Sequence, residues 1–306
     1  MRRDDVRMPE SVGQDMGGKG PSMVFLHANG YPPECYLPLL DLFREGFHVR
    51  ALQLRPLWQS PTAARRLPSW HELSDDLLAW LGDQSAQPVV AVGHSLGAIV
   101  ALRAALHEAW RFRALVLLDP VLATRERIMI WRLARYLPFG HPLWAVIRRA
   151  QRRRSVFGDV DEAFNAYRRH SVFRRLTDER LKDVIKGLMA PREGRMELRY
   201  SPAWEAQIYR VAVWNDLDLW EDLPSLGIPT LMIRGAQSQT LTAEAASAAS
   251  RLSDLIELVT IEGATHLVPL ECPLEVHQVA NRFLQRVPAR RIAGSEADSE
   301  PVFNPA

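Results

Sequence analysis

The chain has 306 residues, of which 47% are hydrophobic and 24% are charged, and this composition is typical of a globular protein and excludes a largely disordered chain. Its formal net charge is +2, which argues against a dedicated nucleic-acid-binding protein, because such proteins usually carry a large basic excess. The two cysteines, Cys35 and Cys272, form no CxxC pair, so a disulfide framework is excluded and a cysteine zinc site is not expected.

Both ends of the chain are polar. Residues 1–22 are rich in glycine and lack the apolar stretch of a secretory signal, and we expect them to form a loosely ordered lead-in. Residues 288–306 are polar and rich in helix-breaking residues, which is typical of a disordered tail. Because no apolar run reaches the length of about 18 residues that a membrane-spanning helix needs, the expected location is the cytoplasm.

Short apolar runs of strand length alternate with longer helical segments. Near-continuous apolar runs are typical of strands buried on both faces of a parallel sheet, and they occupy residues 23–26, 47–52, 89–92, 114–118, 230–233 and 256–261. Helices are predicted between them at residues 69–82, 96–109, 242–250 and 273–286. This alternation predicts an α/β fold with a mostly parallel, doubly wound sheet.

One connection is much longer than a crossover requires. Between Asp119 and Pro229 lie 109 residues, whereas a plain crossover needs about 10–12. We therefore predict a helical cap at residues 121–228, inserted into an α/β core of residues 23–120 and 229–287. Residues 121–200 contain 19 Lys and Arg against 9 Asp and Glu, a local excess of +10.

The strongest chemical signal is the sequence Gly93-His94-Ser95-Leu96-Gly97. It joins a predicted strand directly to a predicted helix, which is the context that makes a GxSxG pattern specific. Glycines two positions on either side of the serine permit a very sharp turn that lifts its hydroxyl clear of the sheet. We predict that Ser95 is a nucleophile.

A serine nucleophile needs a base and donors for the charge that develops in the reaction. His266 follows the last predicted strand, so it lies at the same carboxyl edge of the sheet and is the predicted base. The sequence His27-Ala28-Asn29-Gly30 follows the first predicted strand. The backbone N–H groups of Asn29 and Leu96 are therefore the candidate oxyanion donors, and His27 is interpreted as a structural residue beneath that loop.

These motifs, together with Gly263-Ala264-Thr265-His266, resemble those of the α/β-hydrolase-fold superfamily, in the form of a serine hydrolase with a helical cap. The resemblance extends over residues 23–286 and implies a Ser–acid–His triad in that chain order. It disfavours members that use an aspartate nucleophile, because Ser95 occupies that position.

The acid departs from the family pattern, in which it usually follows the strand after the cap. Here residues 234–240 contain no carboxylate, and the next acidic residue is Glu244. We predict instead that Asp119, at the end of the strand before the cap and 24 residues after Ser95, orients His266. Weaker alternatives are Asp216, Asp218 and Glu262.

Aromatic and apolar residues alternate with arginines in the first part of the predicted cap. The favoured interpretation is a lid that packs its apolar face over the site and exposes its arginines. There are two alternatives. The basic surface could rest on an anionic membrane, or an arginine could turn inward to pair with an acidic substrate. Trp131 and Trp144 are candidate substrate-pocket residues.

The sequence thus predicts a cofactor-independent serine hydrolase that acts on a small carboxylic ester or lactone and needs no metal. Acyl transfer or carbon–carbon bond hydrolysis by the same triad is an alternative, and so is a non-catalytic ligand-binding protein of this fold. Oligomeric state and substrate identity do not follow from fold.

Overall fold

The computed structural model describes residues 8–84, 87–134, 136, 143–212 and 216–288. Its strands, in chain order, are β1 (Gly13–Gly17), β2 (Ser22–Leu26), β3 (His48–Leu52), β4 (Val89–His94), β5 (Phe112–Leu118), β6 (Val156–Phe157), β7 (Met189–Arg192), β8 (Arg195–Leu198), β9 (Thr230–Gly235) and β10 (Ile256–Ile261). The α-helices are α1 (Leu37–Phe43), α2 (His71–Gln84), α3 (Leu96–His107), α4 (Arg125–Ala134), α5 (Trp144–Gln151), α6 (Val160–Arg168), α7 (Asp178–Leu188), α8 (Pro202–Arg210), α9 (Asp216–Asp222), α10 (Ala243–Ser250), α11 (Val268–Glu271) and α12 (Pro273–Arg286).

Seven strands form the central sheet in the order β1-β3-β2-β4-β5-β9-β10. All neighbouring pairs except β1 and β3 are parallel. Because side chains alternate along a strand, Val90 and Val92 pack into the core on the face covered by α1 and α12, while Val89 and Ala91 pack on the face covered by α2 and α3. Both faces are buried, and the predicted α/β fold with a mostly parallel sheet is confirmed.

The lead-in predicted for residues 1–22 is wrong for the part that forms β1. Residues 13–17 pair antiparallel with β3 and extend the sheet, since an edge strand needs backbone hydrogen bonds more than an apolar sequence. The glycines that suggested loose structure build the turn into β2: Gly18 has φ +93°, and a Cβ there would lie 2.1 Å from the carbonyl oxygen of Phe47. Residues 1–7 lie outside the described residues.

The long connection between β5 and β9 contains helices α4 to α9 and a small sheet of order β6-β8-β7. Helices α6 and α7 pack with the core cluster on one face of the central sheet, and α8 packs with the cluster on the other. The predicted tail falls outside the described residues from residue 289 onwards. The connection thus spans the carboxyl edge of the sheet, where the candidate site residues lie.

Candidate active site

A sharp turn connects β4 to α3 at Ser95. The residue has φ 55° and ψ −112°, a left-handed φ that side chains seldom adopt. A Cβ on Gly93 would lie 2.5 Å from the backbone of Gly97, and one on Gly97 would lie 2.2 Å from the carbonyl oxygen of Leu26. Glycine is therefore required at both positions, because the backbone passes too close for any side chain.

Hydrogen bonds between successive strand ends fix the residues at the carboxyl edge. The Ser95 N–H donates to the Leu118 carbonyl at 2.9 Å, and the Asp119 N–H donates to the Ile233 carbonyl at 2.7 Å. Asp119 also has a positive φ, 43°, and such strained residues persist only where the surroundings hold them. The order of the strands thus places Ser95 beside Asp119.

Three side chains from three strand ends form a continuous hydrogen-bonded chain. His266 Nε2 lies 3.0 Å from Ser95 Oγ, and His266 Nδ1 lies 2.9 Å from Asp119 Oδ2. Asp119 is fully buried and Ser95 is 5% exposed, whereas the His266 side chain is 27% exposed. An imidazole held between a hydroxyl and a buried carboxylate is the arrangement that general-base activation of a serine requires.

The loop that carries His266 is held by groups on both sides. His94 Nε2 donates to the His266 carbonyl at 2.8 Å, and His94 Nδ1 accepts from the Tyr36 hydroxyl at 2.7 Å. Burial holds the pKa of His94 well below its ordinary value, which keeps the ring neutral, as this pattern of one donor and one acceptor requires. On the other side, Glu271 accepts from both the N–H and the hydroxyl of Thr265.

The loop after β2 is tied to the cap through Asn29. The Asn29 side chain accepts from the Tyr200 hydroxyl at 2.8 Å and donates to the Glu205 carbonyl at 3.2 Å. Beneath it His27 is buried; its Nδ1 donates to the Ala28 carbonyl, and its Nε2 accepts from the Leu54 N–H. Burial lowers the pKa of His27 to about 4, which agrees with the structural role predicted for it.

One cavity of about 470 Å³ connects these residues. Ser95, His266, Asn29 and Leu96 all line it, and Leu96 begins α3, where the first N–H groups have no partner within the helix. The cavity walls are mostly apolar and aromatic, and they include Trp70, Leu122, Trp131, Val172, Ile208 and Tyr209. Among the described residues no group of three or more side chains could hold a metal ion.

The two candidate pocket tryptophans have different surroundings. Trp131 lines the cavity, whereas Trp144 is not among the lining residues and is 42% exposed. Trp144 occupies the first position of α5, and the buried residues of that helix are Ile147 and Ala150. Trp144 is therefore corrected to a surface residue, and its neighbours Leu143 and Val146 line the cavity instead.

The weaker acid candidates lie elsewhere. Asp218 pairs with Arg103 and His71, and Glu262 is exposed on the surface. The side chain of Asp216 lies outside the described residues.

Sequence reasoning missed the residues that hold the site. Ser238 contacts Asp119 from the loop after β9, a loop that contains no carboxylate. Tyr36 and Tyr200 come from distant parts of the chain, and no local pattern marks them. The identity of a polar residue at a strand end, even an uncharged one, was the available signal for Ser238.

Comparison with known proteins identifies relatives of this chain. A family model described as the alpha/beta hydrolase family matches residues 23–279. The chain is 22% identical over 278 residues to (E)-2-((N-methylformamido)methylene)succinate hydrolase of Acinetobacter baylyi, a match that covers 89% of this chain and 93% of the relative. It is 31% identical over 210 residues to Lipase LipV of Mycobacterium tuberculosis, covering 66% and 71% of the two chains.

A solved structure of E-2-(acetamidomethylene)succinate hydrolase has the same fold. It superimposes with a TM-score of 0.74 at 21% identity and covers 89% of this chain and 94% of its own. The matched family model spans β2 to α12, including both the strand-to-helix turn at Ser95 and the loop of His266. The chain therefore belongs to the alpha/beta hydrolase family.

Proposed function

We propose that the protein is a serine hydrolase that cleaves a carboxylic ester or lactone through an acyl-enzyme intermediate. The observation that carries the proposal is the chain of hydrogen bonds from Ser95 Oγ to His266 Nε2, 3.0 Å, and from His266 Nδ1 to Asp119 Oδ2, 2.9 Å. Relatives named as hydrolases and as a lipase support hydrolysis as the reaction class.

In the first half-reaction Ser95 Oγ attacks the substrate carbonyl carbon while His266 Nε2 takes the hydroxyl proton. This transfer is needed because a serine hydroxyl is a weak nucleophile at neutral pH. Asp119 accepts the Nδ1 proton as a hydrogen bond throughout, which holds the ring in one tautomer and stabilises the imidazolium. The imidazolium then protonates the leaving alkoxide, and the acyl group remains on Ser95.

The negative charge that develops on the carbonyl oxygen is stabilised by the backbone N–H groups of Asn29 and Leu96. Fixed N–H dipoles in a partly dry cavity stabilise such charge more effectively than water does. In the second half-reaction His266 takes a proton from a water molecule, whose oxygen attacks the acyl carbon. Collapse of the intermediate returns that proton to Ser95 and releases the carboxylic acid.

The cavity favours a substrate with an apolar body. Its volume, about 470 Å³, falls in the range of sites for small organic ligands. Arg127 and Glu244 are the charged side chains among the described lining residues. An ester or lactone of moderate size therefore fits this cavity better than a polyanion does.

A fluorophosphonate probe tests this function. We expect one covalent adduct per chain, found on Ser95 by peptide mass spectrometry, and none on the Ser95→Ala variant. Folded protein that stays unlabelled would support the alternative of a non-catalytic ligand-binding protein. A series of p-nitrophenyl esters of graded acyl length then defines the acyl group, with the Ser95→Ala variant as the control for background hydrolysis.

We also propose that the cap rests on an anionic membrane surface. Helix α4 exposes three large apolar side chains, Met129 (49%), Ile130 (63%) and Leu133 (68%), and within α4 and α5 the one acidic residue is Glu126. Exposed apolar and basic groups together bind anionic lipid interfaces. The exposed arginines of this surface are Arg125, Arg127, Arg132, Arg148, Arg149 and Arg152.

Vesicle co-sedimentation tests the surface contact. No helix in the described part of the chain has the length and apolar character to span a bilayer, so the contact tested is peripheral. We expect binding to vesicles with anionic lipid at low salt, loss of binding in an Ile130→Asp and Leu133→Asp double variant, and unchanged binding in Leu274→Asp, which alters an exposed leucine on α12. The proposal would be eliminated if the protein sediments to the same extent with anionic vesicles as with neutral vesicles or without vesicles.

A further inference from the structure

Ser238, in the loop after β9, contacts the carboxylate of Asp119. Its Oγ lies 2.5 Å from Asp119 Oδ2, the same oxygen that contacts His266 Nδ1 at 2.9 Å. Both partners are out of solvent, because Ser238 is 5% exposed and Asp119 is fully buried. The contact therefore forms in the interior, where a hydrogen bond to a charged group is strong.

The direction of the Ser238 hydroxyl proton follows from its other partners. Ser238 Oγ accepts hydrogen bonds from the N–H groups of Thr240, at 3.1 Å, and Leu241, at 3.2 Å. A serine hydroxyl has one proton to donate and two lone pairs that accept. Since both acceptor positions are used, the proton points at Asp119.

The loop around Ser238 holds the hydroxyl in place. The Ser238 N–H donates to the Gly235 carbonyl, and the Gln237 N–H donates to the Ala264 carbonyl, each at 2.9 Å. The buried guanidinium of Arg234 donates to the carbonyls of Leu241 and Ala236. The donor is thus fixed by backbone and by a buried side chain.

We propose that Ser238 is a positioning residue that sets the rotation of the Asp119 carboxylate. Asp119 Oδ1 is buried without a hydrogen-bond partner among the described residues, so the two donors on Oδ2, Ser238 and His266, are the groups seen to orient it. With the hydroxyl in place, Oδ2 faces Nδ1 of His266. This inference rests on the proposed function, in which Asp119 orients the base.

The charged and titratable groups around this contact come from four segments. His266 lies on the loop after β10, and His94, on β4, has its ring centroid 5.0 Å from that of His266. Arg234 lies on β9 beneath the Ser238 loop. Glu271, on α11, contacts Thr265 next to the base. Among these groups only His266 donates to Asp119 in the described structure. Ser238 is the other side-chain donor to that carboxylate and carries no charge, so its removal changes the electrostatic potential that His266 experiences.

The test compares Ser238→Ala and Ser238→Cys with wild type in pH profiles of kcat/KM. A cysteine keeps nearly the same shape but donates weakly, so it separates the hydrogen bond from packing. The matched control is Ser74→Ala, which alters a serine of equal burial, 5% exposed, whose hydroxyl has no partner among the described residues. Fluorophosphonate titration of Ser95 gives the active fraction of each protein.

For both Ser238 variants we expect kcat to fall about tenfold, because the carboxylate is no longer held in one rotation. The midpoint of the acidic limb should move to higher pH by about half a unit. Without the Ser238 hydrogen bond the Asp119 carboxylate keeps more of its negative charge, and it therefore stabilises the His266 imidazolium more strongly. A partly unfolded variant loses active fraction without moving that limb. Profiles that superimpose on wild type would overturn the inference, whereas failure of the probe to label wild-type Ser95 would instead refute the proposed function.

Discussion

His94 Nε2 donates a hydrogen bond to the backbone carbonyl of His266 at 2.8 Å, so the residue before the candidate nucleophile holds the loop of the candidate base. The same ring accepts from the Tyr36 hydroxyl, and that hydroxyl accepts from the N–H of Ala28 in the loop that carries Asn29. One buried imidazole therefore connects the three loops around the cavity. Its position depends on the neutral state that burial imposes.

Replacing His94 should destabilise the fold. In His94→Phe the His266 carbonyl and the Tyr36 hydroxyl lose their partner in a buried site, which costs about 2–3 kcal/mol of the free energy of unfolding. Urea unfolding followed by circular dichroism measures the change. The control is His107→Phe, at the exposed end of α3, where we expect a change of less than about 0.5 kcal/mol. Equal stability of the two variants would contradict the role assigned to His94.

Replacing the carboxylate of Asp119 should abolish most turnover without unfolding the protein. Asp119→Asn keeps the shape of the side chain, but its amide cannot stabilise the imidazolium or hold the Nδ1 proton, and we expect kcat to fall by about three to four orders of magnitude. Ester hydrolysis, normalised to the folded fraction from circular dichroism, measures it. Turnover within about tenfold of wild type would exclude Asp119 as the acid.

Acidification should lower stability through His27. Its folded pKa is lowered by burial to about 4, whereas in the unfolded chain it titrates near about 6.5. Below that unfolded value the unfolded state binds a proton that the folded state does not, so the stability is fully present above about pH 6.5 and decreases as the pH falls toward 4.

The expected loss between pH 7 and pH 5 is about 2 kcal/mol from His27. Urea unfolding at the two pH values measures it, and a His27→Gln variant should lose less on acidification by that amount. If variant and wild type showed the same pH dependence, folding would not lower the pKa of His27. His94 contributes with the same sign, because burial lowers its pKa as well.

Arg127 should favour substrates that carry a carboxylate. Its side chain lines the cavity beside Trp131, with the guanidinium 5.0 Å from the ring centroid. Because Arg127 is exposed, an ion pair there contributes at most about 1 kcal/mol. In Arg127→Gln we expect KM for an ester with a terminal carboxylate to rise about two- to fivefold, and KM for the neutral ester of equal length to stay constant.

The control for Arg127 is Arg195→Gln, which removes an exposed arginine at the start of β8. Equal changes for both esters, or for both variants, would show that Arg127 does not contact the substrate. This outcome would leave the proposed ester hydrolysis unaffected, since Ser95 and His266 are unchanged.

Local patterns in the sequence were sufficient for the parts of this protein that local physics controls. Buried parallel strands need continuous apolar residues, and a strand-to-helix turn as sharp as that at Ser95 needs Gly93 and Gly97, so both could be predicted from the sequence. The position of Asp119 could be predicted because the carboxyl ends of parallel strands meet at one edge of the sheet.

Tertiary structure alone decided the rest. Strand β1 and the contact between Ser238 and Asp119 each depend on a partner far away in the chain, and neither has an apolar run that marks it. Trp131 lines the cavity and Trp144 is exposed, and this difference depends on how α4 and α5 pack in the folded chain. The sequence thus determined which residues reach the edge of the sheet, and the packing of distant segments decided which of them contact one another.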